Sequence, residues 1–411
     1  AFLVRVPLSV LASTWLEPAW DIWKHLQETL LSRLLLNTLI LVIGVSTGTL
    51  LLGVSLAWLT GACDFPGRKH FSWSLLLPLA MPTYVLAFVS LGIFDFSGPV
   101  QTQMREWFGR GVWLPDMRSA GGVVLVMSLA LYPYVYLLAR NAFRTQGKRA
   151  LEAAESLGCT PVQGFFRVVL PMARPWIAGG ATLVLMEALA DFGAVSIFNY
   201  DTFTTAIYKT WFGFFSLPAA AQLSSLLVAI VFLLVALEQR LRKRMRFAQS
   251  RLAPQAERIE LTGSRRWLAT SYCSLVLLIA FLLPALQLLV WSLEVFHEEF
   301  DSRYLSLLGH SLILGLIAAI VITAVALLLA YAGRRHQDRL THGLIRTATL
   351  GYALPGTVLA VGIFIPLAWL DNFIIDLARN LFGLEIPQLL QGTIMIMLLA
   401  YTIRFMAAGF K

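Results

Sequence analysis

The chain has 411 residues, of which 58% are hydrophobic and 13% charged, with a formal net charge of +9. A soluble domain carries about 25% charged residues, so this balance excludes a globular protein with a solvated surface. The cysteines Cys63, Cys159 and Cys273 show no CxxC spacing and suggest neither a disulfide framework nor a zinc site. The scattered histidines likewise offer no metal-ligand spacing.

In chain order, residues 1–14 form an apolar stretch interrupted by Arg5 and Pro7. Uncharged blocks follow between Arg33 and Asp64 and between His70 and Asp95. Ser119–Ala139 is uncharged but carries Tyr132-Pro133, and Pro175–Phe198 contains Glu187 and Asp191. Further blocks lie between Lys209 and Glu238, Arg266 and Glu294, Tyr304 and Arg334, and Arg346 and Asp371; a shorter one covers Ile386–Ile403. About 20 apolar residues at ~1.5 Å rise cross a ~30 Å hydrocarbon core, and lipid gives backbone groups no partner outside a helix. The expected architecture is therefore an all-α polytopic membrane protein with about ten spans. Pro78, Pro82, Pro133, Pro218 and Pro355 are expected to kink their helices. Trp15, Trp20, Trp23, Trp107 and Trp113 suit an outer interfacial belt, and Arg140 and Arg404 can snorkel at span ends.

Of the 32 Lys and Arg, 23 lie in segments 61–70, 140–174, 239–266, 334–346 and 404–411. That bias places this set of loops in the cytoplasm, with Glu294, Glu298, Glu299 and Asp301 on the opposite side. The positive charge is thus an orientation signal. No basic stripe is interleaved with aromatics, so no nucleic-acid partner is expected.

The two halves repeat. Asn37–Leu41 matches His310–Leu314, Ala57-Trp58 matches Ala330-Tyr331, and Met81–Ala87 matches Leu354–Ala360, all at an offset of 273. Near the end the offset is 267, aligning Tyr134 with Tyr401. The pattern predicts two parallel repeats related by an axis along the membrane normal: residues 1–238, a basic cytoplasmic linker 239–266, and residues 267–411. The second repeat is expected to be cut short just before its copy of the 152–171 segment, in a longer protein of two sets of six spans. Ala1 in place of Met, with no signal-peptide n-region, suggests a missing natural N-terminus.

Residues 152–171 are a polar segment between two spans on the arginine-rich side. They read Glu152-Ala153-Ala154, three residues, Gly158, nine residues, Val168, one residue, Leu170-Pro171. This resembles the EAA loop of ABC-importer permeases, EAA-x3-G-x9-I-x-LP, with Val168 in place of Ile. The resemblance implies a short coupling helix parallel to the membrane, docked on a cytoplasmic ATP-binding subunit present in two copies. It also implies a periplasmic solute-binding protein, a bacterial inner (cytoplasmic) membrane location and contact with membrane lipid. No GxxxxGK[ST] phosphate loop occurs, so ATP and Mg are expected on the partner, with no cofactor and no catalytic residue in this chain. The residue types suit a coupling element. Glu152 can cap a helix start or pair with a basic partner residue, and Ala153 and Ala154 let another surface approach. Gly158 permits a sharp exit, and Leu170-Pro171 marks re-entry.

Leu75–Pro82, Asp95–Gln101, Glu187–Ala194 and Asp201–Tyr208 resemble the fused ferric-iron permeases more specifically. Ferric iron is the substrate this implies; permeases for thiamine, polyamines, phosphonates and sulfate share the loop. From the residues alone, Glu187 and Asp191 are spaced i, i+4 and would face one side of a helix. An intramembrane carboxylate costs about 2.5–3.5 kcal/mol and is a functional candidate by default. The pair, with neighbouring tyrosines, could line a cation path, bond to other helices, or carry protons in an ion-coupled secondary transporter. Pro82 and Pro355 occupy matched places in the repeat and are further candidates for the translocation path. No metal site is assigned.

Overall fold

The computed structural model describes residues 2–16, 20–109, 115–243, 258–335 and 338–410. Helices α1 (Phe2–Ser13), α2 (Trp20–Thr29), α3 (Leu31–Ala62), α4 (Arg68–Ser74), α5 (Thr83–Phe94) and α6 (Pro99–Phe108) lead to the long α7 (Ala120–Ser156). Then come α8 (Pro161–Gly164), α9 (Leu170–Ala190), α10 (Gly193–Ile197), α11 (Phe203–Phe212) and α12 (Leu217–Lys243). The rest is α13 (Ser264–Leu277), α14 (Leu283–Glu299), α15 (Ser302–Arg335), α16 (Arg339–Thr349), α17 (Gly356–Phe382) and α18 (Ile394–Phe410). Among the described residues, 8 helical runs are long and apolar enough to cross a membrane, and Leu3–Ser13 and Ile394–Ala407 are shorter apolar helices. The chain is an all-α polytopic membrane protein. Trp113 and residues 244–257 of the expected basic linker lie outside the described residues.

One expected span is not a single helix. The block between His70 and Asp95 breaks: α4 stops at Ser74, a 3-10 turn covers Leu77–Ala80, and α5 begins after Pro82 at φ −55, ψ 143. Pro78 and Pro82 lack the N–H a continuous helix would need, so the backbone leaves helical geometry between them. Irregular backbone at membrane depth must find internal partners. Two buried tyrosines of α7 supply them: the Tyr132 hydroxyl donates to the Leu75 carbonyl at 2.9 Å and Tyr136 to that of Ser72 at 3.2 Å. The same succession recurs 273 residues on, with a 3-10 turn at Leu350–Ala353, Pro355 at φ −57, ψ 145, and α17 starting at Gly356.

The kinks expected at the prolines are therefore mostly helix starts. Pro82 and Pro355 precede α5 and α17, Pro218 is the second residue of α12, and Pro78 lies in the 3-10 turn. A helix's first turn has no use for the missing N–H. Pro133 does lie inside a helix, α7, which runs on to Ser156. A different device handles Leu-Pro pairs within helices. A π-turn at Phe165–Val169 precedes Leu170-Pro171, and another at Leu278–Leu282 precedes Leu283-Pro284. Widening the turn moves the carbonyl that the proline ring would strike.

The chain forms two compact units, one of Leu36–Asp201 with Leu234–Ser292, the other of Ala1–Leu35, Thr202–Leu233 and Leu293–Lys411. The first is built around α7, whose Met127, Tyr132, Tyr136 and Phe143 are buried. A Cβ on Gly180 of α9 would sit 2.7 Å from the Val135 Cα, and one on Gly53 of α3 2.7 Å from the Val135 Cβ. Small residues thus let α3 and α9 approach α7 at backbone distance, the usual basis of helix association in lipid. In the other unit α1 packs on α17, with Gly362 against Pro7. Trp15 donates to the Ser225 hydroxyl at 2.6 Å and stands edge-on to Trp23. Buried Asp371 accepts from the amides of Leu389, Leu390 and Gln391 and latches the loop before α18.

Candidate functional site

The Glu152–Pro171 segment is not a separate horizontal rod. Glu152 to Ser156 form the last turns of α7, which has 37 residues. At ~1.5 Å per residue such a helix is ~55 Å long, so it overshoots a ~30 Å hydrocarbon core by ~25 Å. It then stops in a defined way. The Cys159 amide donates to the Ala154 carbonyl at 3.1 Å, the Gly158 amide to that of Glu155 at 2.9 Å, and Gly158 takes φ 85. This is the Schellman stop, in which a left-handed residue lies four positions after the carbonyl that closes the helix. The Ala154-x3-Gly158 spacing is thus a helix terminator.

The next helix starts at once. The Thr160 hydroxyl accepts from the Gln163 amide at 3.3 Å, and the Gln163 side chain accepts from the Thr160 amide at 3.2 Å. This capping box, with Pro161 in the first turn, satisfies the exposed amides of α8. A Cβ on Gly164 would lie 2.8 Å from Leu151 and 3.1 Å from Ala154, so small residues clamp the two arms together. The segment is the closed tip of an αα-hairpin.

This geometry revises several residue assignments. Glu152 lies near a helix C-terminus, not at a start, and reaches Lys148 one turn back at 3.7 Å. Ala153 is exposed, whereas Ala154 is buried, its small side chain used inside the hairpin rather than offered to a partner. Leu170-Pro171 sits within one helical run from Pro161 to Ala190, past the π-turn. The tip also exposes apolar side chains not singled out from the sequence: Leu157 at 85% and Val162 at 67%. Their signal was two isolated apolar residues in a polar stretch.

Beside the hairpin's arms lies a cationic cluster. Buried Arg68 pairs with Asp64 at 2.8 Å. Burial, with Arg68, Arg144 and Arg140 nearby, pulls Arg258 below the ordinary guanidinium range, and Asp64 opposes that shift.

The expected carboxylate pair is not on one helix face. α9 ends at Ala190, and Asp191 is extended at φ −67, ψ 130. Glu187 stays on α9, partly buried. The Asp191 carboxylate accepts from the Thr83 hydroxyl at 2.5 Å and from the amides of Ala194 and Val195 at 2.9 and 3.2 Å. It therefore terminates one helix, caps α10 and ties both to the residue that follows Pro82. A Cβ on Gly193 would stand 2.6 Å from the Tyr84 Cβ, so the two broken helices meet at close range. Pro82 and Asp191 are brought together; Pro355 belongs to the other compact unit. Of the nearby tyrosines, Tyr200 donates to the Asn37 carbonyl at 3.1 Å. Among the described residues, no three His, Cys, Asp or Glu side chains converge to hold a metal ion.

Comparison with known proteins agrees with this architecture. Residues 50–247 match the family described as binding-protein-dependent transport system inner membrane component. The chain is 29% identical over 340 residues to the Fe(3+)-transport system permease protein FbpB 2 of Haemophilus influenzae, covering 81% of this chain and 63% of the relative. It is 26% identical over 245 residues to the sulfate transport system permease protein CysT of Escherichia coli, covering 57% and 84%. It is 30% identical over 146 residues to the molybdenum transport system permease protein ModB of E. coli, covering 36% and 62%. The chain thus spans less than two thirds of the ferric-iron and molybdenum relatives. Through residues 50–247, just under half of its length, this multi-pass chain thus matches the family of binding-protein-dependent transport system inner membrane components.

Proposed function

We propose that the chain is the membrane-spanning permease of an ATP-driven importer, working by alternating access and coupled to a separate cytoplasmic ATP-binding subunit in two copies. It is a transport component, not an enzyme. The observation that carries the reading is the hairpin tip: a helix that overshoots the bilayer, stops at Gly158 and presents exposed Glu152, Ala153, Leu157 and Val162 on the arginine-rich side. A clamped tip transmits a push from its partner along α7 and α9, which pack together through Gly180.

Ferric iron, delivered by a periplasmic solute-binding protein, is the proposed substrate, because the ferric-iron permease aligns over 81% of the chain. The sulfate and molybdenum permeases among the relatives support an oxyanion as the second reading. The meeting of two broken helices at Pro82 and Asp191 is the proposed translocation site in this half, with Glu187 nearby; the matching break at Pro355 is its counterpart. Discontinuous helices at corresponding positions of a repeat point to a transport site. The recurring 3-10 turn, proline and helix start also favour two parallel repeats, residues 1–238 and 267–411, joined by 239–266.

The test is ATP-driven uptake into proteoliposomes holding the permease with its ATP-binding subunit. Glu152→Lys should abolish uptake while leaving membrane insertion intact. Uptake that persists without ATP, driven by a proton gradient, would replace the importer with a secondary carrier. Labelled iron and labelled sulfate, each with its binding protein, decide the cargo.

A further inference from the structure

The coupling hairpin has a second neighbour. Within one compact unit, an apolar groove of about 760 Å³ runs between α3, the π-turn and start of α9, and α13. Leu50, Leu51 and Val54 form one wall, and Phe165, Phe166 and Leu170 of the hairpin's returning arm form another. The hydroxyls of Ser55 and Tyr272, 2.8 Å apart, satisfy each other, so the walls offer carbon rather than free polar groups. Its volume is that of a small-molecule site.

Two observations say what fills it. First, Leu50–Leu59 are the last turns of α3 before the arginine-rich side, so the groove lies at the depth of the cytoplasmic leaflet's acyl chains. Second, its lining includes one charged side chain, that of the exposed Arg174, which belongs to the cytoplasmic set of cations. Apolar walls with a cation at the membrane surface match an acyl chain under an anionic headgroup.

We propose that this groove seats an anionic phospholipid of the cytoplasmic leaflet, with its chain against Leu51 and Val54 and its phosphate at Arg174. The site depends on membrane embedding and not on the importer reading, so either can fail alone. Because Phe165, Phe166 and Leu170 make one wall, the lipid braces the returning arm of the hairpin.

Native mass spectrometry of the full chain, titrated with dioleoyl phosphatidylglycerol or dioleoyl phosphatidylcholine, tests it. One basic residue near an anionic headgroup predicts about fivefold tighter retention of phosphatidylglycerol. Arg174→Gln should remove that preference, weakening phosphatidylglycerol more than phosphatidylcholine, whose choline offsets the phosphate charge, whereas Arg174→Lys should keep it. Leu51→Trp, at a position 69% exposed and so harmless to packing, should reduce retention of both lipids. Inorganic phosphate should not displace the lipid. An unchanged preference in Arg174→Gln, full retention in Leu51→Trp, or displacement by phosphate alone overturns the proposal. Should Arg174→Gln not purify as a monodisperse protein, Leu51→Trp decides the matter.

Discussion

Asp191 is the residue at which a structural and a transport role separate most cleanly. Its carboxylate accepts hydrogen bonds from the Thr83 hydroxyl and the Ala194 and Val195 amides. Asp191→Ala removes these bonds at once. Loss of a helix cap costs about 1 kcal/mol, and stranding a buried donor adds about 1–3 kcal/mol, giving about 2–4 kcal/mol in total. Asp191→Asn keeps a side-chain carbonyl for the two amides, and the Thr83 hydroxyl can rotate to accept from the new amide. It loses charge assistance, about 1 kcal/mol. Thermal unfolding of the purified chain in detergent should therefore rank wild type, then Asn, then Ala, with the larger gap before Ala. Uptake measured at matched amounts of folded protein then isolates any role in cargo passage: a sharp loss in Asp191→Asn, out of proportion to its small stability loss, marks contact with substrate. Equal unfolding midpoints for wild type and Asp191→Ala would refute the assignment of this carboxylate as the tie between the broken helices.

Gly158 has open space around a Cβ but φ 85, so Gly158→Ala should cost about 1–2 kcal/mol through backbone strain alone. Gly158→Asn should be milder, and Gly158→Pro should destroy the stop, as unfolding and ATP-driven uptake would show. Glu152→Lys replaces the exposed partner of partly buried Lys148 with a like charge one turn away, so unfolding should move by about 1 kcal/mol or less, and a large stability loss would undermine its use as a coupling probe. Gly180→Val should destabilise the α7–α9 contact by about 1–3 kcal/mol through overpacking against Val135, measurable as a lower unfolding midpoint. Thiol labelling checks the hairpin's exposure: burial pushes the Cys63 thiol up to about 12, so at neutral pH it stays protonated and unreactive. Partly exposed Cys159 should label first with maleimide in inverted vesicles, Cys159→Ser should abolish that signal, and a bound ATP-binding subunit should protect it.

Much of this protein follows from its chain of residues because lipid leaves few choices. Uncharged blocks become helices, and the arginine bias orients them. The Ala154-x3-Gly158 and Thr160-Pro161-x-Gln163 spacings are local instructions for stopping one helix and starting another, and the matched prolines Pro82 and Pro355 mark the same junction twice. What local spacing did not contain was decided by contacts distant in sequence. The block between His70 and Asp95 reads as one span until Tyr132 and Tyr136 are seen taking the carbonyls of a broken one. Glu187 and Asp191 read as a helical pair until α9 is seen to end at Ala190, with extended Asp191 held by Thr83, 108 residues away. Ala154 reads as a docking surface until Gly164 is found against it. Helical periodicity counts residues along one segment. A buried polar group is satisfied by whichever atom packing brings near it, and only the tertiary structure says which atom that is.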